Sequence, residues 1–175
     1  EKLSSVEYIG ELNVPQYDAT ALPVILANEY YKAGGDRGFI AKNYEVLKKA
    51  VSWLEGMDRK LRLIDQEGGS DWKDVLRRSG QVAYTNILLY KAFVSMAEMN
   101  IVMGEDSSHN ARYAEKIKND INTRIWDDTL GYYKDSEGIS SFSADGNMLA
   151  LMWGIADDAK SAKVFAKLEY LLDNG

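Results

Sequence analysis

The sequence predicts an all-α protein built of helical hairpins that form part of a helical barrel. Two kinds of helix alternate along the chain, and the longer connections between them carry aromatic and acidic residues. One kind is apolar on nearly all sides, which is typical of a buried helix, whereas the other has a single apolar stripe. An inner ring of buried helices wrapped by an outer ring of amphipathic helices would form such a barrel.

Three segments are predicted to be buried helices, namely residues 21–31 (ALPVILANEYY), 87–99 (ILLYKAFVSMAEM) and 148–156 (MLALMWGIA). Each is followed by an amphipathic segment. In residues 39–55 the apolar side chains recur at steps of four and three, which places them on one helix face. These side chains are Ile40, Tyr44, Leu47, Val51 and Leu54. Residues 107–126 and 161–172 repeat the pattern, so the chain is predicted to contain three hairpins.

The connections differ in length according to their direction. Buried helices lead into amphipathic ones through short turns, whereas residues 57–80 and 127–141 form long connections in the other direction. Loops longer than about 12–15 residues are uncommon unless they are functional or disordered. Strand-like segments flank a glycine turn at residues 136–138, which predicts a small β-hairpin within 128–142. The face that carries the long loops is therefore the expected binding mouth of the barrel.

Composition excludes several classes of function. The net charge of −6 and the pI near 4.9 argue against nucleic acid or an anionic membrane as the main partner. The chain has no cysteine and only one histidine, His109. This argues against zinc catalysis and against a Ser-His-Asp triad, because both depend on histidine or cysteine side chains. No apolar window reaches the length of about 18 residues that suggests a membrane span. We expect no metal, no cofactor and a cytoplasmic location, with a lost signal peptide as the open alternative.

One stretch concentrates the candidate chemistry, residues 67–81, EGGSDWKDVLRRSGQ. It holds three acids, one tryptophan and two adjacent arginines. Each buried helix is also entered by a polar segment, and all three entries are expected at the same end of the assembly. The polar or aromatic side chains in these entries are Tyr17, Asp18, Tyr84, Asn86, Asp145 and Asn147. Helix capping and ligand binding both remain open for the polar ones.

The motifs EGGSDW, VAYTNILLYK, MAEM, WDD with GYYKD, and FSADGN together resemble the six-hairpin (α/α)6-barrel glycoside hydrolases. That group includes trehalase, glucoamylase, processing α-glucosidase and amylo-α-1,6-glucosidase. The resemblance implies that residues 1–175 are a single fragment of a catalytic domain, truncated at both ends. It further implies inverting hydrolysis of an α-linked glucoside or oligosaccharide by a general acid on the loop. The general base would lie outside the chain, so the fragment alone is expected to be inactive.

The general acid implied by the resemblance is Asp71. Asp74 and Glu67 remain alternatives because the family places an arginine about four residues after the acid, whereas Arg77 and Arg78 come later here. Trp72 and Tyr84 would offer apolar faces to a sugar ring. The remaining predicted substrate-binding residues are Arg77, Arg78, Asn86, Tyr17, Asp18, Asp145 and Asn147.

The identity of the sugar stays open, because α-glucosidase, trehalase, amylo-glucosidase and α-L-rhamnosidase barrels share this layout. Besides a carbohydrate substrate, a homodimer through the exposed edges of the fragment is a possible partner. The alternative function is a non-enzymatic scaffold of helical hairpins that binds a protein. Such a scaffold would carry its aromatic anchors on helix faces and have short loops, whereas here the long loops carry aromatic and acidic residues.

Overall fold

The structure, a computed structural model, describes residues 14–57, 63–73 and 78–174. This part of the chain contains six α-helices and a small antiparallel sheet. The helices are α1 (Tyr17–Gly34), α2 (Arg37–Gly56), α3 (Ala83–Met103), α4 (Ser108–Asp120), α5 (Ala144–Met152) and α6 (Asp158–Asn174). The strands are β1 (Trp126–Asp127), β2 (Tyr132–Ser136) and β3 (Ile139–Phe142). A π-helical turn, Ile121–Ile125, continues α4 into β1.

The predicted alternation of buried and amphipathic helices holds for α1 to α4, whereas α5 buries only Gly146, Asn147 and Ala150 and exposes Met148 and Met152. Helix α3 lies at the centre and packs against α1, α2, α4 and α5. Its side chains are buried along almost its whole length, as expected for a helix without a polar face. By contrast, α2 buries only its apolar stripe, including Ile40, Leu47 and Leu54. We call α1, α3 and α5 the inner helices.

The short turns after α1 and α3 are built on glycine. Gly35 and Gly104 adopt left-handed backbone conformations, with φ of +71° and +82°, at the C-terminal ends of these helices. Glycine reaches this region without the steric cost that a Cβ would add. Asp36 then begins α2, because its carboxylate accepts a hydrogen bond of 3.0 Å from the Phe39 N–H.

The predicted β-hairpin within residues 128–142 is also confirmed, and it gains a third strand. The strands lie in the order β1-β2-β3, with Trp126 opposite Tyr133 and Ser136 opposite Ile139. The rings of Trp126 and Tyr133 meet edge to face with centroids 5.0 Å apart. Tyr133 is fully buried, so the sheet is anchored to the helical core.

None of the helices in the described residues is long and apolar enough to cross a lipid bilayer.

Candidate active site

The inner helices begin in the same way, and this fixes what lies at the mouth of the barrel. They start after Gln16, Val82 and Ser143, none of which forms a side-chain capping bond. The polar residues that we considered as caps therefore lie inside the first turn. Asp18, Tyr84 and Asp145 occupy the second helical position, and Thr20, Asn86 and Asn147 occupy the fourth.

The fourth-position residues hold the scaffold together. The Asn86 amide donates to Val82 O at 2.9 Å and to Ile64 O at 3.1 Å, and its oxygen accepts from Ile64 N at 2.7 Å. Asn147 makes the equivalent bonds to Ser143 O and to both backbone groups of Tyr133, at 2.8–3.0 Å. Both asparagines are completely buried. The prediction that they bind substrate is not supported, because their polar atoms are occupied by backbone.

The second-position residues meet around Trp72. The Trp72 backbone N–H donates to Asp18 Oδ2 at 2.9 Å, and its indole Nε1 donates to Asp145 Oδ2 at 3.2 Å. The Trp72 ring also meets the ring of Tyr84 edge to face, with centroids 6.4 Å apart. Trp72 remains 57% exposed. A large aromatic surface is thus presented to solvent while three inner helices fix its position.

Lys73 adds a cation to this group. Its ammonium lies 3.2 Å from Ser143 Oγ and 3.4 Å from Asp145 Oδ1, and 5.4 Å from the centre of the Trp72 ring. The Asp145 Oδ1 also accepts bonds from the Ser143 hydroxyl and, at 2.9 Å, from the Gly146 N–H. We call Asp18, Trp72, Lys73, Tyr84 and Asp145 the mouth site.

The loop that delivers Trp72 is closed at its base. Gln66 and Gly80 exchange two backbone hydrogen bonds of 2.9 and 3.0 Å, and the Tyr17 N–H donates to Ser70 O at 3.2 Å. Gly80 has a φ of +81°, a conformation that disfavours any side chain where the loop turns into α3. These contacts fix both the end of the loop and its crossing over α1.

Behind the mouth site lies Arg78, which is 1% exposed. Its guanidinium pairs with Asp71 Oδ2 at 2.8 Å, Asp135 Oδ1 at 2.9 Å and Asp145 Oδ2 at 3.1 Å. It also lies over the ring of Tyr84, 5.3 Å from the centroid. We call Arg78 with its three acids the Arg78 cluster. Its side chain is enclosed by its own carboxylate partners, so this arrangement favours a structural role over the predicted contact with substrate.

Asp71 lies in this cluster and not at the surface. It is 1% exposed, and its Oδ2 accepts a bond of 2.6 Å from Gln66 Nε2 as well as the bond from Arg78. Its Oδ1 accepts the Lys73 N–H at 2.9 Å. Thr85, on α3, donates in turn to the Gln66 amide oxygen. Both carboxylate oxygens are occupied, so this arrangement suits a structural anchor better than a proton donor.

The surroundings separate the pKa values of the two mouth-site carboxyls. Burial raises the pKa of Asp18, although N–H groups of Ala19 and Trp72 partly oppose it. Burial acts in the same direction on Asp145, but the Ser143 hydrogen bond and the charge of Arg78 outweigh it and lower the pKa to about 2. Asp145 is therefore ionised at neutral pH.

Two further pKa values follow from the same contacts. Burial opposes the charge on Arg78, but its bonds to Asp71 and its pairing with Asp145 raise the Arg78 pKa above its ordinary value. Burial and the charges of Asp18, Asp71 and Asp145 likewise raise the pKa of Tyr84. The phenol of Tyr84 is therefore a neutral hydroxyl that can donate a hydrogen bond.

The other predicted residues lie as follows. Tyr17 is buried against Trp53, with ring centroids 5.8 Å apart. Glu67 is exposed at the surface of the loop. Asp74 and Arg77 lie outside the described residues. The sequence reasoning missed Gln66, Lys73, Asp135 and Ser143, and one signal for them was available: Ile64-x-Gln66 precedes α3 as Tyr133-x-Asp135 precedes α5.

Within the described ranges, no group of three or more acidic or histidine side chains is placed to hold a metal ion. His109 is exposed and lies beside Glu55, with Nε2 3.0 Å from Oε1.

Comparison with known proteins identifies the fold and the family. Residues 11–173 match the family described as the bacterial alpha-L-rhamnosidase 6 hairpin glycosidase domain. A search of curated proteins found no match. A GH78 family rhamnosidase of Bacillus sp. GL1 superposes with a TM-score of 0.76 at 20% identity, over 87% of this chain and 17% of that one. A rhamnosidase from Klebsiella oxytoca with rhamnose bound gives 0.75 at 13% identity, over 88% and 30%.

The chain thus spans less than a third of the length of either solved rhamnosidase. The six-hairpin superfamily inferred from the motifs is confirmed, whereas its trehalase and glucoamylase group is not. The chain belongs to the bacterial α-L-rhamnosidase six-hairpin glycosidase domain family, within the glycoside hydrolases.

Proposed function

We propose that the chain supplies a sugar-binding surface to a glycoside hydrolase that acts on α-L-rhamnosides. The observation that carries this proposal is the mouth site, in which Trp72 is 57% exposed yet held by bonds to Asp18 and Asp145. The family match and the fold shared with a rhamnosidase that was solved with rhamnose bound favour rhamnose over the glucoside expected from the motifs.

The mouth site offers the groups that a neutral sugar requires. An exposed indole face can pack against the C–H face of a pyranose ring, and L-rhamnose adds a methyl group to that apolar surface. The carboxylate of Asp145 can accept bonds from sugar hydroxyls, whereas Lys73 and the neutral phenol of Tyr84 can donate them. Few precisely placed polar groups around an aromatic surface are typical of small-molecule sites.

The resemblance to six-hairpin glycoside hydrolases predicts an inverting mechanism and a general base outside residues 1–175. Both stay predictions. In an inverting glycosidase the acid and base carboxyls lie about 6.5–9.5 Å apart. The acid must also reach the glycosidic oxygen. The burial of Asp71 and its bonds to Arg78 and Gln66 favour an anchoring role. Asp74 and Glu67 therefore remain candidate proton donors beside it.

Sugar binding is tested by isothermal titration calorimetry of the chain with L-rhamnose and with methyl α-D-glucoside. We expect weak binding that prefers rhamnose and is lost in Trp72→Ala. Tyr170→Ala is the matched control, because Tyr170 is 58% exposed on α6 and lies outside the mouth site. Equal weakening by both substitutions would contradict the assignment of Trp72.

Activity is tested in a protein that carries the complete six-hairpin domain, with an aryl α-L-rhamnoside as substrate. Loss of a general acid lowers the rate by about 10²- to 10⁴-fold. We expect this loss in Asp74→Asn or Glu67→Gln if either residue is the donor. The same loss in Asp71→Asn, with Trp72 unmoved, would instead restore Asp71 to the catalytic role.

The predicted homodimer is supported by one surface. An apolar groove between α1 and α2 is lined by Pro23, Leu26, Tyr30, Phe39 and Val46 among others. The rings of Tyr30 and Phe39 meet there with centroids 4.8 Å apart. We propose that two copies of this chain pair through this edge. Sedimentation of the chain and of Leu26→Glu tests this, and a monomeric wild-type chain would contradict it.

A further inference from the structure

The Arg78 cluster joins three segments that are distant in sequence. Asp71 belongs to the loop over α1, Asp135 to β2 and Asp145 to the first turn of α5. Each carboxylate pairs with a different guanidinium nitrogen, so the arginine fixes the direction of all three at once. Lysine could not do so, because its ammonium is a compact point charge and not a planar fork.

One connection from Arg78 to the mouth site runs through a single oxygen. Asp145 Oδ2 accepts from Arg78 Nη2 at 3.1 Å and from Trp72 Nε1 at 3.2 Å. The partners Ser143 Oγ, Lys73 Nζ and the Gly146 N–H form their hydrogen bonds with the other oxygen, Oδ1. Arg78 therefore supplies the cationic bond to the oxygen that accepts from the indole.

A second contact acts in the same direction. The guanidinium lies 5.3 Å from the centre of the Tyr84 ring, and Tyr84 forms the edge-to-face contact with Trp72. Arg78 thus supports Trp72 both through Asp145 and through Tyr84, although its own side chain is almost completely buried.

We propose that Arg78 is a positioning residue for the mouth site, which sets the orientation of the Trp72 indole through Asp145 and Tyr84. Its effect on sugar affinity rests on the proposed function, whereas its effect on the indole does not. The two parts can therefore fail separately.

The test compares wild-type chain, Arg78→Lys and Arg78→Gln by NMR of the tryptophan indole N–H groups. We expect the Trp72 signal to shift toward that of a free indole in both variants. The internal control is Trp126, whose indole donates to Asp128 Oδ1 at 2.7 Å. Its signal should not move. Affinity for L-rhamnose should fall about tenfold, the change expected when a hydrogen bond involving a charged group is lost.

An unmoved Trp72 signal in a folded variant would overturn the proposal, as would equal shifts of Trp72 and Trp126. If wild-type chain does not bind rhamnose, the proposed function fails for this chain, and the indole signals still decide the role of Arg78. If neither variant folds, the wild-type chain is titrated with acid. Protonation of Asp145 should then move the Trp72 indole and the Arg78 guanidinium signals over one pH interval, and separate midpoints would overturn the proposal.

The titratable groups that face Arg78 are the carboxylates of Asp71, Asp135 and Asp145 and the phenol of Tyr84. Lys73 lies on the other side of Asp145, at 3.4 Å from Oδ1. Burial and the nearby carboxylates raise the pKa of Tyr84, so its phenol stays neutral throughout the acid titration.

Discussion

Gly146 lies at a close contact between α5 and α3, and Gly146→Ala should show how tightly the mouth site depends on that contact. A Cβ built at Gly146 would lie 2.9 Å from the Ala83 Cβ and 3.5 Å from the Tyr84 nitrogen. Carbon atoms in contact normally lie about 3.5–4.0 Å apart. Ala83 has no side-chain torsion that could relieve the clash, so α5 must move away from α3 by on the order of 0.5–1 Å.

Two effects of opposite sign decide the change in the free energy of unfolding. Alanine is favoured over glycine within a helix by up to about 1 kcal/mol, and less in a first turn. Insertion of a methyl group into a closely packed contact costs about 1–3 kcal/mol. We expect the packing cost to exceed the gain in helix propensity, which leaves a net loss of about 1 kcal/mol in the free energy of unfolding. The displaced turn also carries Asp145 and Asn147, so sugar affinity should fall as well.

The assay is urea unfolding followed by circular dichroism, in a double-mutant cycle with Ala83→Gly. Removing the Ala83 methyl makes room for the new one, so the double variant should recover most of the stability lost in Gly146→Ala. We expect a coupling energy of about 1 kcal/mol, which is typical of residues in contact. A Gly146→Ala variant as stable as wild-type chain, or strictly additive changes, would refute the reasoning.

Two further predictions concern buried polar groups. Asn86→Ala leaves the N–H and C=O of Ile64 without the bonds that Asn86 supplies. Each buried polar group without a hydrogen-bond partner costs about 1–3 kcal/mol. We expect a loss of about 2–4 kcal/mol in urea unfolding, against less than about 0.5 kcal/mol for Asn43→Ala, whose hydrogen bond to Phe39 O is exposed to solvent. Asp145, with a pKa of about 2 instead of 3.8, should contribute about 2 kcal/mol at neutral pH. This stability is lost as the pH falls from about 4 to 2, and an unchanged acid unfolding curve in Asp145→Asn would contradict it.

The parts of the fold that the sequence could predict are those that depend on neighbouring residues. The apolar stripe of α2 and the continuous apolar run of α3 are local patterns, and both helices lie where these patterns place them. The small hairpin followed from its glycine turn in the same way. Helix starts were harder, because Gln16, Val82 and Ser143 form no side-chain cap that a sequence could display.

The Arg78 cluster could not be predicted by spacing, because its bonds join residues 7, 57 and 67 positions apart. Spacing along the chain relates Arg78 only to the acids of its own loop. It does not indicate that Asp135 on β2 and Asp145 on α5 also approach Arg78. The same tertiary contacts bury Asp71. Its carboxylate, a group that often serves in catalysis, therefore pairs with the buried guanidinium of Arg78.

The three inner helices repeat one arrangement within their first turn. At the fourth position, Thr20, Asn86 and Asn147 each donate to the carbonyl of the residue before the helix. At the second position, two aspartates, Asp18 and Asp145, and one tyrosine, Tyr84, all contact Trp72. Because the fourth position fixes each helix start in the same way, a substitution of Tyr84 should alter sugar binding more than the fold, whereas Asp145 also pairs with Arg78 and contributes to stability.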